Sequence, residues 1–215
     1  DTARPAVARR GPASAAPTVS SSVEVEPRAG HRRGLFAGGT LALEAQQQLS
    51  ALDGLRANDP MPGVEPVADL RRSSGHTILD LGADEFTVGR LHPMIDQDLR
   101  IRRLRQASED PETGVILLDV VLAEGSQPDP AEELAPAVER ARAAGGSDVV
   151  VLMVGTDLDP QGLAEQTERL EGAGARVFHR VSEGLAWTAA RLGDERETGP
   201  SESAAAAGGG GAARA

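Results

Sequence analysis

The sequence predicts an α/β fold, a parallel sheet with helices on both faces. Three observations carry that prediction. Apolar runs of strand length alternate five times with stretches whose apolar residues recur every three or four positions. The run Val115–Ala123 is apolar at eight of nine positions, as in a strand buried on both sides. Gly and Pro punctuate the chain between runs, and strand–helix–strand order calls for crossovers within one parallel sheet.

The periodic part spans residues 33–192, enough for one domain with a real core. Residues 1–32, rich in Ala, Pro, Ser and Arg, read as a disordered linker. Residues 193–215, acidic and then Ala/Gly-rich, read as a disordered tail. A linker without an initiating Met predicts a further segment upstream.

The first strand is Arg33–Ala37. Gly38-Gly39-Thr40 then opens a helix with Leu41, Ala45, Leu49, Leu52 and Leu55 on its apolar face. Such a turn presents backbone N–H groups and a hydroxyl at a helix N-terminus, suited to phosphate or carboxylate; the plain alternative is a tight turn with Thr40 as N-cap. The connection from Asp59 to Gly75 is long enough to hold an extra turn or strand.

Thr77–Gly82 is the second strand. The following loop concentrates Asp84, Glu85, Arg90, His92 and Asp96. Loops after strands favour binding residues. His92 suits a general base, nucleophile or phosphate donor, and Arg90 a bidentate clamp on carboxylate or phosphate. The alternative is a chain break at His92-Pro93 with Asp96 capping the next helix. That helix runs to about Ser108 on Ile95, Leu99, Ile101 and Leu104. Its Arg100, Arg102, Arg103 and Arg105 read as a solvated face.

The central strand, Val115–Glu124, carries one charge, Asp119. A lone buried carboxylate is costly. The expectation is therefore that the strand ends there and Asp119 lies at the rim, with His92 as the other candidate catalytic residue. Asp129-Pro-Ala-Glu132 is a capping box opening a helix on Leu134, Ala135, Val138 and Ala141, which stops at Gly145-Gly146. Asp148–Gly155 is a fourth strand. Asp157 and Asp159 beyond it suit either a hard cation such as magnesium or a helix cap opening at Asp159-Pro160. The fifth strand is Ala175–His179, and Ser182 caps a final helix to about Leu192.

The expected architecture is flavodoxin-like: a doubly wound five-stranded parallel sheet of order 2-1-3-4-5. Its topological switch point puts Gly38–Thr40 beside Asp119–Gly125, with the His92 loop at the rim. Phosphate or substrate contacts are expected from Gly38, Gly39, Thr40, Arg90, Asp96 and Gly125.

Composition excludes several chemistries. The net charge is −11 and the pI about 4.8, which disfavours nucleic acid and anionic membranes as partners. No apolar run of transmembrane length and no leader are read, so the expected location is cytoplasmic. No cysteine is present, which removes thiol nucleophiles, disulfides and Cys-based metal sites. No lysine is present either; all 22 basic residues are arginine. A Walker-type loop, Schiff-base chemistry and a receiver-type phospho-acceptor all lose their lysine.

Several segments closely resemble the FdrA protein family. They are Arg33–Glu44, Asp80-Leu-Gly82, Asp84–Asp96, Ile116–Leu122 and Pro128-Asp-Pro130, with the 84–96 loop the most specific. FdrA proteins are similar to the α subunit of succinyl-CoA synthetase, in which a CoA-binding Rossmann domain precedes a flavodoxin-like ligase domain. The resemblance covers residues 33–191 and the second domain only, so CoA would enter through an upstream domain. It implies acyl-CoA-synthetase-like chemistry with phosphate held at helix N-termini, the family's Gly-Thr-Leu turn matching Gly39-Thr40-Leu41. The family's phosphohistidine loop reads Gly155-Thr-Asp-Leu-Asp-Pro-Gln-Gly162 here, without a histidine. The synthetases' catalytic glutamate, after the third strand, has no clear match here; Val120 falls about there, beside Asp119. FdrA-like proteins are also associated with allantoin and purine breakdown through oxamate carbamoyltransferase, a reaction that needs a phosphate cradle and no phosphohistidine. The resemblance thus implies an acyl or carbamoyl phosphate substrate and partner subunits of a hetero-oligomer. The rival expectation is a non-catalytic assembly domain.

Overall fold

A computed structural model of the protein describes residue 26 and residues 28–191. Most of the expected linker and all of the expected tail from residue 193 lie outside the described residues. His31 and Arg32 already belong to the first strand.

The chain alternates strands β1 (His31–Phe36), β2 (Arg56–Ala57), β3 (Glu65–Pro66), β4 (Thr77–Asp80), β5 (Thr113–Val121), β6 (Asp148–Val154) and β7 (Arg176–Phe178) with helices. The helices are α1 (Gly39–Gln48), α2 (Asp84–Thr87), α3 (Asp98–Glu109), α4 (Pro130–Gly145), α5 (Leu163–Gly172) and α6 (Val181–Ala190). All paired strands run parallel. The expected five-stranded sheet of order 2-1-3-4-5 is corrected to seven strands in the order β3-β2-β4-β1-β5-β6-β7. The long connection after α1 supplies the difference. Its two-residue strands pair beyond β4, too short to show any alternation in the sequence.

Strand parity divides the core. Leu35, Leu79, Ile116, Leu118, Val149 and Val151 face one way, packed with Leu104, Leu134 and Leu170 of α3, α4 and α5. Phe36, Ile78, Val115, Leu117, Val150 and Leu152 face the other way, under Ala45 and Leu185 of α1 and α6. Each such fully buried aliphatic side chain contributes about 1.5–3 kcal/mol. Gly184 lets α6 lie close: a Cβ there would overlap Leu152 Cδ2.

Helix boundaries follow local chemistry. Asp129 caps α4, accepting the Glu132 N–H at 3.1 Å, with Pro130 in the first turn and Gly146 closing the helix at φ 65°. α5 begins at Leu163 behind Gly162, not at Asp159-Pro160. Ser182 lies inside the first turn of α6 rather than capping it. Asp96 is not the cap of α3 either. It accepts the Asp98 N–H at 2.8 Å in a turn just before the helix. The arginine run of α3 is not all solvated: Arg100 and Arg103 are buried with Leu104, Ala107 and Ser108, while Arg102 and Arg105 are exposed.

No helix among the described residues is long and apolar enough to cross a membrane.

Candidate functional site at the carboxyl edge of the sheet

The chain leaves β1 and β5 toward different helices, so the carboxyl ends of β4, β1 and β5 frame a crevice at the topological switch. β1 pairs Phe36 with Asp80 of β4, and Leu35 with Leu118 of β5. Asp80 and Asp119 therefore flank the turn Ala37-Gly38-Gly39.

Gly38 is the N-cap of α1 in an extended conformation, and no side chain caps this helix. The first N–H groups of a helix have no partner within it. Gly39 and Thr40 are exposed, so these donors face solvent. A Cβ on Gly39 would lie 2.9 Å from Asp80 Oδ2, and one on Gly38 would lie 3.4 Å from Met94 Cε and 3.8 Å from Asp119 Oδ2. The glycines let two carboxylates and a methionine close on the helix start.

Asp119 does not lie at a rim. β5 continues to Val121, and Asp119 is wholly buried within it. Its burial is compensated from two sides. The Ala37 N–H donates to Oδ1 at 2.7 Å, and Arg100 Nη2 donates to Oδ1 at 3.2 Å and also to the Asp119 carbonyl. Arg100 Nη1 donates to Gln97 Oε1 at 3.2 Å. Burial pushes both partners toward neutrality, Asp119 up and Arg100 down, and their attraction pulls each back. Oδ2 of Asp119 remains buried without a hydrogen-bond partner.

Asp80 is held by its backbone. Its N–H donates to Asn58 Oδ1 at 2.8 Å, and Asn58 Nδ2 donates to its carbonyl at 3.1 Å. Oδ1 accepts the Gly82 N–H at 2.9 Å. Desolvation raises the Asp80 carboxyl above its ordinary value, against that hydrogen bond and the nearby His92.

The loop after β4 folds His92 back over this end. A Cβ on Gly82 would stand 2.5 Å from His92 Nε2 and 2.6 Å from the Ala37 carbonyl. His92 Nδ1 accepts the Met94 N–H at 3.2 Å, which leaves Nε2 to carry the proton of the neutral ring. The Gln127 N–H donates to the Met94 carbonyl at 2.8 Å, tying this loop to the one after β5. Beneath the tie is a recess of only about 10 Å³, lined in part by Ala37, Gln97 and Arg100. Even one water needs about that much space, so the recess itself holds no ligand.

The structure thus brings Gly38, Gly39, Thr40, His92 and Asp119 to one place. It does not bring the others there. Arg90 lines a groove along α3 with Phe86 and Arg102. Asp96 is exposed beside the start of α3. Gly125 is an exposed turn residue at φ 87°, with nothing within 4 Å of an added Cβ. Asp159 Oδ2 accepts the Thr156 N–H at 2.6 Å, a local turn, and Asp157 is exposed. Among the described residues no group of three or more His, Asp or Glu side chains could hold a metal ion.

Sequence reasoning missed Asp80, Asn58 and Arg100. Asp80 closes a strand as Asp119 nearly does, which was a usable signal. Arg100 and Arg103 sit in the same three-and-four spacing as Leu104 and Ala107, but their residue type argued for solvent. Asn58 follows a strand too short to recognise.

Residues 35–191 match the family model described as CoA-ligase. The uncharacterised protein YahF of Escherichia coli strain K12 is 39% identical over 156 residues, covering 70% of this chain and 30% of that protein. The matched region therefore spans about 30% of the length of that curated relative.

Proposed function

The chain belongs to the CoA-ligase family, and from that premise we propose that it is the ligase-type domain of an FdrA-like enzyme subunit that holds an acyl or carbamoyl phosphate at the start of α1. The observation that carries this reading is the uncapped, solvent-facing N-terminus of α1 between Asp80 and Asp119. Backbone N–H groups of Gly39 and Thr40 and the Thr40 hydroxyl receive the phosphate. Two carboxylates beside an anion would repel it. Asp119 is offset by Arg100, and Asp80, with its carboxyl raised by burial, holds a proton more readily than a free aspartate.

In carbamoyl transfer the nucleophile adds to the carbonyl carbon, the C–O bond to phosphate breaks, and inorganic phosphate leaves with the bonding pair. The nucleophile's proton leaves with the departing phosphate, and the His92 Nε2–H, at the mouth of the site, donates to a phosphate oxygen. Arg90 is given no part in the seat, because its guanidinium lies in the α3 groove. Oxamate as acceptor, allantoin breakdown as setting, and CoA supplied by an upstream domain belong to this proposal.

Partner subunits fit the same surface. Leu91, Ile95 and Leu158 are exposed on loops at the carboxyl edge, Leu158 at 93%. An apolar fringe of this kind suits cover by another domain or subunit, and it also supports the rival reading of a domain that only assembles partners.

Heat denaturation followed with carbamoyl phosphate tests the proposal. The expected result is a rise in Tm that Gly39→Ala abolishes, because its Cβ crowds Asp80 and the seat. An equal rise in Gly39→Ala, or none in the parent chain, overturns it. His92→Ala separates the two readings: the enzyme reading expects lost turnover with assembly intact, and the assembly reading expects the reverse.

A further inference from the structure

A second site lies away from the carboxyl-edge cradle, along α3. Two depressions meet there. The smaller, about 270 Å³, is lined by Arg33, Arg72, Ser73 and Arg103. The larger, about 680 Å³, is lined by Arg71, Arg90, Arg102 and Arg105, with Phe86 and Leu99 among its apolar walls. Arg103, Gln106 and Glu109 line both, so the two lie side by side.

Seven arginines converge in a chain whose net charge is −11. Their compensation is incomplete. Arg103 is 7% exposed and donates to the Arg71 carbonyl, Ser73 Oγ and Gln106 Oε1, all neutral acceptors. Arg71, Arg72, Arg90 and Arg103 form no ion pair among the described residues. Arg33 gives one edge to Asp110 at 2.8 Å, and its Nε is buried without a hydrogen-bond partner. Arg102 pairs with Asp98, while Arg105 stands 3.9 Å from Glu109. Of the acids on the walls, Glu85 accepts from Asn58 Nδ2 at 2.8 Å. Desolvation lowers the Arg103 pKa, with Asp69 as the carboxylate pulling it back and Arg33 adding repulsion, so part of its field is left for an anion to complete.

Shape limits the anion. The smaller well has room for a phosphate, which the exposed Arg72 fork can meet in bidentate fashion, while the buried Arg33 and Arg103 add positive field behind it. The larger groove lies within the ordinary range for small-molecule sites. Its rim exposes Val88 at 83%. An exposed valine next to arginine side chains suits an apolar body better than further charge.

We propose that the α3 groove binds an organic phosphate, its phosphate in the Arg33–Arg72–Arg103 well and its apolar body against Phe86, Leu99 and Val88. The site is separate from the α1 seat and stands whether or not that seat holds an acyl phosphate.

Titration calorimetry on the whole chain tests this with phenyl phosphate, inorganic phosphate and a poly-glutamate peptide. Phenyl phosphate is expected to bind about tenfold more tightly than inorganic phosphate, because only its ring reaches the apolar wall. Arg72→Ala with Arg90→Ala, both exposed and safe for folding, should weaken it about tenfold or more, whereas Gly39→Ala should leave it unchanged. The proposal is overturned by no binding of phenyl phosphate, by equal affinity for the two phosphates, or by indifference to the arginine pair. Loss in Gly39→Ala assigns the binding to the α1 seat instead, and binding of the peptide alone makes the groove an acidic-protein surface; either result overturns it too.

Discussion

At the amino end of β1, buried arginines lean on carbonyls and on Asp110; at the carboxyl end a buried carboxylate is paired with Arg100 and held by a backbone N–H. Arg32 donates to the carbonyls of Gly30 and Arg28, and Arg33 to the Gly75 carbonyl and Asp110. Ser147 Oγ donates to the Thr113 carbonyl at 2.9 Å in the same layer. These bonds join loops to strand starts and build a frame. At the other end, Asp119 keeps one oxygen without a partner beside a helix start that no side chain caps. The difference teaches where to look for chemistry: one end uses its charge to close the fold, and the other leaves donors open to solvent.

The strongest way to break this contrast is at Arg100. Arg100→Ala strands a wholly buried carboxylate and should cost about 3–5 kcal/mol in urea unfolding. The pair Arg100→Leu with Asp119→Leu should recover much of that loss, since an apolar replacement leaves no unpaired charge. If the double variant is no more stable than Arg100→Ala, the pair is not the cause.

Acid separates the two ends by sign. His76, buried beside His31, Arg32 and Arg33, is lowered from 6.5 to about 4, by desolvation first and then by those basic neighbours, with Asp53 pulling back. Its Nδ1 accepts the Arg32 N–H at 3.1 Å, a bond that protonation there would remove. A depressed folded pKa means the unfolded chain binds the proton first. This stability is therefore present above pH 6.5 and lost as pH falls toward 4. The loss is about 3 kcal/mol, and His76→Gln should flatten the urea midpoint over that range. Asp80 responds the other way. Its raised carboxyl makes the native state hold the proton, so its contribution is full below 3.8 and fades as pH rises through the folded value. Asp80→Asn should remove that slope and leave the His76 limb in place.

A smaller effect is expected at the edge of α4. Burial pushes Asp129 up, but hydrogen bonds from Arg169 and Gln166 outweigh it and hold its carboxyl below the ordinary value. Asp129→Ala loses the cap and the 2.6 Å contact with Arg169, about 1 kcal/mol in all. A loss as large as that of Arg100→Ala would erase the distinction between surface and buried charge.

Residue order alone determined the long strands, the capping box of α4, the glycine turn before α1 and the likeness to FdrA proteins. Each is written in neighbouring residues, as period, cap or motif. The pairing of Arg100 with Asp119, 19 residues away, and of Ala37 with Asp119, 82 residues away, was decided by the crossovers of the sheet. The same holds for the edge strands, which need β4 as a template, and for Arg90, carried to the α3 groove by the fold of its loop. Local pattern tells which side of an element turns inward. Only the assembled sheet tells what each inward charge will meet.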